Sequence, residues 1–127
     1  MSTQTETRPA VRAYHDAWTT GDPEATRRVL ANEIVNPNPL NGYAGTAQPL
    51  DEYVRALGRF ASLVTGATLI SELYGDGEAT LLYDAQTTTP VGTVRTAENF
   101  KLVDGRIATI NLIFDATAWR AMTAQQG

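Results

Sequence analysis

Ala79-Thr80-Leu81-Leu82-Tyr83-Asp84-Ala85-Gln86 and, one turn later, Val94-Arg95-Thr96-Ala97-Glu98-Asn99-Phe100-Lys101-Leu102 decide the fold of this chain. Both runs are rich in β-branched and aromatic residues and alternate as half-buried strands do. They belong to a longer regime. After Gly66 the apolar period becomes two and stays so, predicting strands near 67–74, 79–89, 92–103 and 106–115. Gly75-Asp76-Gly77, Pro90-Val91-Gly92 and Asp104-Gly105 join them. Asp-Gly marks a hairpin, because a type I′ turn needs positive φ at both central residues.

Working back from Gly66, the period is helical. A first helix is expected over 9–20, opening at Pro9 and closed by Gly21, with Val11, Tyr14, Ala17 and Trp18 on one face. Asp22-Pro23 reads as an N-cap and first-turn proline for a second helix over 23–31. Ile34-Val35 is a short strand, and residues 36–45 are too rich in Asn, Pro and Gly to be regular. A third helix over 49–64 presents Leu50, Tyr53, Leu57, Phe60, Ala61 and Val64. The prediction is one α+β domain over residues 1–127, with three N-terminal helices on a curved antiparallel sheet and residues 1–8 frayed.

Composition narrows the function. Net charge is −4 and Lys and Arg are scattered, which speaks against a nucleic-acid partner. One histidine and no cysteine argue against a zinc site and remove thiolate chemistry. No segment approaches the roughly 20 apolar residues of a membrane span. The N-terminal residues lack the apolar run of a signal peptide, so no membrane association and a cytoplasmic location are expected.

The residues that stand out are Asp84 and Glu98, carboxylates in the middle of apolar strands. On the buried face, either one would have its pKa raised by up to roughly 3 to 5 units, as acids poised for proton transfer often do. On the other face, it would simply meet solvent. Alternation alone turns Leu81 and Tyr83 inward and Asp84 outward. His15 lies about 100° of helix from Tyr14, at the edge of the buried stripe. Asn36 and Asn38 read as turn formers, with Asn38 also a candidate ligand contact.

The order of elements resembles the NTF2-like superfamily and its SnoaL-like group over about residues 9 to 120. The marks are Tyr14 through Trp18 followed by Gly21-Asp22, the loop ending in Gly45, and Phe100 through Ile107 leading to Phe114-Asp115. The resemblance implies a cone whose concave side takes a ligand, and often a homodimer formed through the outer face of the sheet. Ketosteroid isomerases place a Tyr, a base Asp before a Pro, and a protonated Asp where this chain has Tyr14, Asn38 and Glu98. An amide cannot abstract a proton, so that route lacks its base. Limonene epoxide hydrolases carry an Asp with the spacing of Asp84, Pro90 and Gly92, but this chain has Leu82 and Leu112 where their Arg and second Asp stand.

The resemblance therefore implies a cofactor-independent enzyme of cyclase or isomerase type, acting on a hydrophobic oxygenated molecule of polyketide, terpenoid or steroid kind. Tyr14, Asp84 and Glu98 would be catalytic. Trp18, Asn38, Tyr43, Tyr53, Leu57, Phe60, Leu82, Phe100, Leu112, Phe114 and Trp119 would contact the substrate. A silent ligand-binding or dimerisation module, and an epoxide hydrolase or epoxide-opening cyclase, are the alternatives.

Overall fold

The computed structural model describes residues 4–126, with side chains over 6–121. Helix α1 (Gln4–Thr19) is anchored by a stripe with helical spacing, Thr7, Val11, Tyr14 and Trp18, all buried. It begins before Pro9, which lies inside it, so residues 4–8 are helical rather than frayed. The Thr7 hydroxyl accepts a hydrogen bond from the Gly77 amide at 2.9 Å, tying this first turn to the sheet. Residues 1–3, the rest of the segment expected to fray, lie outside the described residues. Gly21, at φ 75°, closes the helix, where a side chain would be strained. Asp22 then caps α2 (Pro23–Arg28) by accepting from the Ala25 amide at 3.1 Å.

The chain continues through β1 (Leu30–Val35), a single 3₁₀ turn at Pro39–Asn41, β2 (Ala47–Pro49) and α3 (Leu50–Ala61). A meander follows: β3 (Val64–Tyr74), β4 (Glu78–Thr87), β5 (Thr93–Val103) and β6 (Arg106–Ile113). The hairpin at Asp104-Gly105 has positive φ at both residues, 52° and 78°, as its sequence requires. A fourth helix, α4 (Thr117–Gln126), closes the described chain and was not expected from the sequence. No helix among the described residues is long and apolar enough to cross a membrane.

The six strands form one sheet in the order β2-β1-β6-β5-β4-β3. It is not wholly antiparallel: β1 runs parallel to β6, while every other neighbouring pair is antiparallel. The reason is topological. The chain leaves β1 through β2 and α3, crosses to the far edge at β3, and meanders back until β6 meets β1 in the same direction.

Alternation sorts the two faces. Ala79, Leu81, Tyr83 and Ala85 of β4 are buried beneath α1 and α3, as are Val94, Thr96, Glu98 and Phe100 of β5. One end of the concave side is solid, filled by Val11, Tyr14, Leu81, Phe100, Ile107 and Ile110. The other end holds a cavity of about 260 Å³. Glu98 stands at the boundary, two residues from buried Phe100, with Thr96 and Val94 running up the cavity wall.

Phe100 therefore belongs to the core. Replacing it with Ala should cost about 3–5 kcal/mol in urea unfolding, the range for large aromatic truncations in a packed interior. A loss under about 1 kcal/mol would show that this end of the cone is not close-packed.

Candidate active site

The cavity is bounded by α1, α3, the start of α4, the 36–40 loop and the concave faces of β4, β5 and β6. Its aromatic wall is continuous. Trp18 packs against Phe60 and against Tyr83, each with ring centroids 5.9 Å apart, and Phe60 packs against Trp119 at 5.7 Å. Leu57, Leu112 and Phe114 extend the apolar lining, and none of the lining residues is cationic.

Glu98 is the one carboxylate in the lining, 2% exposed, and its Oε1 has no hydrogen-bond partner among the described residues. Burial disfavours the anion and pushes its pKa from the ordinary 4.5 up to about 8. The Tyr83 hydroxyl pulls the other way but is outweighed.

Three tyrosines gather around this carboxyl. Tyr14, Tyr53 and Tyr83 are all buried, and desolvation together with the nearby Glu98 charge raises the pKa of each. All three therefore stay protonated donors at neutral pH. The hydroxyls of Tyr14 and Tyr53 lie 2.6 Å apart. Tyr53 lines the cavity, whereas Tyr14 is sealed behind it, edge-on to Phe100 at 5.6 Å. Tyr53 thus stands at the cavity wall, with Tyr14 packed behind it.

Asp84 is not in the site. It points to the outer face, where Arg95 clasps it through Nε at 2.8 Å and Nη2 at 3.0 Å, a pairing that holds its pKa below the ordinary carboxylate value. It therefore neither supplies a base nor raises the pKa of Glu98. Leu82 shares its outward orientation by strand alternation and is also absent from the lining. Phe100 is core rather than lining. Tyr43, half exposed in a left-handed conformation at φ 62°, sits in the loop outside the cavity.

Trp18, Asn38, Tyr53, Leu57, Phe60, Leu112, Phe114 and Trp119 line it. The Asn38 side chain is occupied, however. It accepts from the Leu40 and Asn41 amides at 2.9 and 3.2 Å and donates to the Asn36 carbonyl at 3.0 Å, capping the 3₁₀ turn. Asn36, Tyr83, Val94 and Thr96 are lining residues that the sequence reading did not select. Alternation points to each: Asn36 follows buried Ile34 by two, and the other three share the parity of Leu81 and Phe100.

His15 is buried at the flank of the α1 stripe, its ring edge-on to Tyr83 at 5.1 Å and Trp18 at 6.0 Å. It is not a lining residue, and burial pushes its pKa down. No group of three or more potential metal ligands occurs among the described residues.

These two buried groups give opposite pH signatures. From about pH 4.5 to 8 the folded chain keeps a proton on Glu98 that the unfolded chain releases, so stability falls as pH rises through that window. The depressed His15 pKa acts the other way: its contribution is present above the free value of 6.5 and lost on acidification. Between about pH 6.5 and 8.5, thermal and urea unfolding should show a loss of about 2 kcal/mol. Glu98→Gln should flatten that slope. Equal slopes in the two proteins would mean that the carboxyl is not desolvated.

No protein-family model and no curated protein matches the chain. Solved structures do. A crystallised protein of Kribbella flavida is 30% identical, with 96% of this chain and 98% of that one covered at a TM-score of 0.82. A second Kribbella flavida structure, described as a candidate ketosteroid isomerase, is 16% identical over 87% of this chain and 78% of its own, with a TM-score of 0.70. A candidate polyketide cyclase of Sinorhizobium meliloti is 20% identical over 82% of this chain and 93% of its own, at 0.68. NTF2-like proteins of unknown function share the fold as well.

Proposed function

The chain has the NTF2-like fold, and from that premise we propose that it is an acid–base enzyme of isomerase or cyclase type. The observation that carries this reading is Glu98, a buried carboxyl on the wall of an apolar cavity whose Oε1 has no partner among the described residues and whose pKa is pushed up to about 8. Isomerisation and cyclisation both deliver a proton to one atom and withdraw one from another. A single group that titrates near ambient pH can do each in turn, because neither its acid nor its base form is costly to reach.

In this mechanism protonated Glu98 donates to an oxygen or an unsaturated carbon of the substrate, and the resulting carboxylate recovers a proton from a neighbouring carbon. Tyr53 donates a hydrogen bond to the substrate oxygen, polarising it for protonation and holding the neutral enol that forms when the carboxylate takes the carbon-bound proton. Tyr14 is a positioning residue: by donating to the Tyr53 oxygen it leaves the Tyr53 proton free for the ligand. The aromatic wall excludes water and orients the ring system. The cavity volume is below the roughly 300 Å³ at which most ligand sites begin, which favours a small terpenoid or short polyketide over a four-ring steroid.

The test is deuterium uptake from heavy water into a panel of small cyclic ketones and hydroxyketones, followed by kinetics on any compound that exchanges. Glu98→Gln should lower the rate by about 10²-fold or more. Tyr53→Phe should cost about 10²-fold to 10³-fold, and Tyr14→Phe less, because it acts only through Tyr53. The rate should fall above about pH 8 if the acid form starts the reaction. Exchange that persists in Glu98→Gln would overturn the assignment.

A second reading, a silent binding module, has support in Asp84 facing outward and in the capping role of Asn38, which leave Glu98 as the one acidic group in the cavity. Under either reading we propose a homodimer through the outer sheet face. There Leu82, Ala97 and Ile113 lie side by side across β4, β5 and β6, and Ile113 is 60% exposed. Sedimentation at micromolar concentration should give twice the chain mass, and Ile113→Lys should return it to the mass of one chain.

A further inference from the structure

Asn36 holds the second unsatisfied oxygen of the cavity. Its Oδ1 is buried without a partner among the described residues, whereas its backbone carbonyl accepts from the side-chain amides of Asn38 and Asn41, each at 3.0 Å. The capping network thus fixes the Asn36 backbone and leaves its side-chain oxygen unused. The Leu112 amide donates to the Pro37 carbonyl at 2.9 Å, and Leu112 is in turn the cross-strand neighbour of Glu98. The residue after Asn36 is therefore bonded to the strand position that faces Glu98.

A third group completes the pattern. The Trp18 indole N–H, on another lining residue, is also buried without a partner. Unmade hydrogen bonds of this kind are costly when buried, and a ligand of the right polarity recovers that cost. Beside Asn36 Oδ1, the Trp18 indole N–H and the Glu98 acid, the lining carries the neutral polar side chains of Gln48, Tyr53, Tyr83 and Thr96, and no cation to receive a carboxylate or phosphate. At about 260 Å³ the cavity lies just under the usual range of ligand sites, which suits a compound of one or two rings.

We infer that the ligand is an uncharged one- or two-ring compound bearing a hydroxyl and a carbonyl oxygen, and that Asn36 sets specificity by accepting from the hydroxyl while Trp18 donates to the carbonyl. This rests on the reading of Glu98 as an acid that is protonated in the resting enzyme. Asn36, rather than the capping residue Asn38, is the polar anchor of the loop. A ligand without the hydroxyl leaves Asn36 Oδ1 buried and unpaired, and a carboxylate in place of the ketone meets Glu98 with no cation to neutralise it.

The experiment uses the full chain, labelled with ¹⁵N, and its two tryptophans, Trp18 and Trp119, both of which line the cavity. Their indole N–H signals are followed during titration with 4-hydroxyacetophenone, 4-methoxyacetophenone and 4-hydroxybenzoate. The hydroxyketone should shift the Trp18 indole proton downfield and saturate. The methoxy compound, which has no donor, should bind about tenfold more weakly, the worth of one buried hydrogen bond, and the benzoate at least as weakly. Asn36→Leu should erase the difference between the first two while retaining methoxyketone binding.

Equal binding of hydroxy and methoxy compounds to the unaltered chain would overturn the inference without recourse to any variant. So would a benzoate that binds as well as the ketone, or the lack of any saturable Trp18 shift. The two readings fail separately. Loss of hydroxyl discrimination while Glu98→Gln still abolishes proton exchange removes only the role of Asn36. Discrimination that persists while Glu98→Gln exchanges normally removes only the catalytic role of Glu98.

Discussion

A carboxyl group that faces an apolar cavity with no cation beside it is costly to ionise, and the rest of this structure is arranged around that cost. Neutralisation through a raised pKa is the cheapest response, because an isolated buried charge would be far more expensive than a held proton. The three tyrosines are consistent with that response. They are protonated donors packed near a group that is itself protonated for most of the neutral range. Of the two cations three residues from Glu98 in sequence, Arg95 is committed to Asp84 on the far side of the sheet and Lys101 is exposed. The sheet separates a solvated ion pair from a desolvated acid only a few residues away.

That separation follows from the pleat. Side chains one residue apart in a strand face opposite sides, so the register of β4 against β5 decides both outcomes at once. Asp84 lies opposite Arg95 on the outer face, while Tyr83 lies opposite Thr96 and Leu81 opposite Glu98 within the cone. A slip of β5 by one residue would bury Arg95 away from Asp84 and expose the acid. The packed end of the cone, around Phe100 and Ile110, opposes any such slip because both residues would leave the core.

Much of the fold was legible in the sequence because it depends on local periodicity. The caps at Gly21 and Asp22 and the Asp104-Gly105 hairpin appear where the spacing puts them, whereas α3 ends at Ala61 and the strand regime begins at Val64, before Gly66 and inside the stretch expected to be helical. What was not legible is non-local. The parallel meeting of β1 with β6 depends on where the meander ends, and no feature of Leu30–Val35 declares it. Helix α4 carries a weak apolar stripe, although its Trp119 lines the cavity. In the site, alternation was the better guide wherever it disagreed with the family resemblance. It turned Asp84 outward, as the structure does. The resemblance placed Tyr14 correctly in the helix but one layer too far forward, and Tyr53 stands between it and the ligand.

The central claim is that Glu98 carries a proton at neutral pH because the cone desolvates it. Carbon-detected NMR of side-chain carboxyl groups, titrated from acid to alkaline pH, tests this directly. The Glu98 signal, identified by its loss in Glu98→Gln, should titrate with a midpoint near 8, well above the ordinary 4.5. A midpoint near 4.5 would contradict the account, because it would show a solvated carboxylate where the structure places a buried acid.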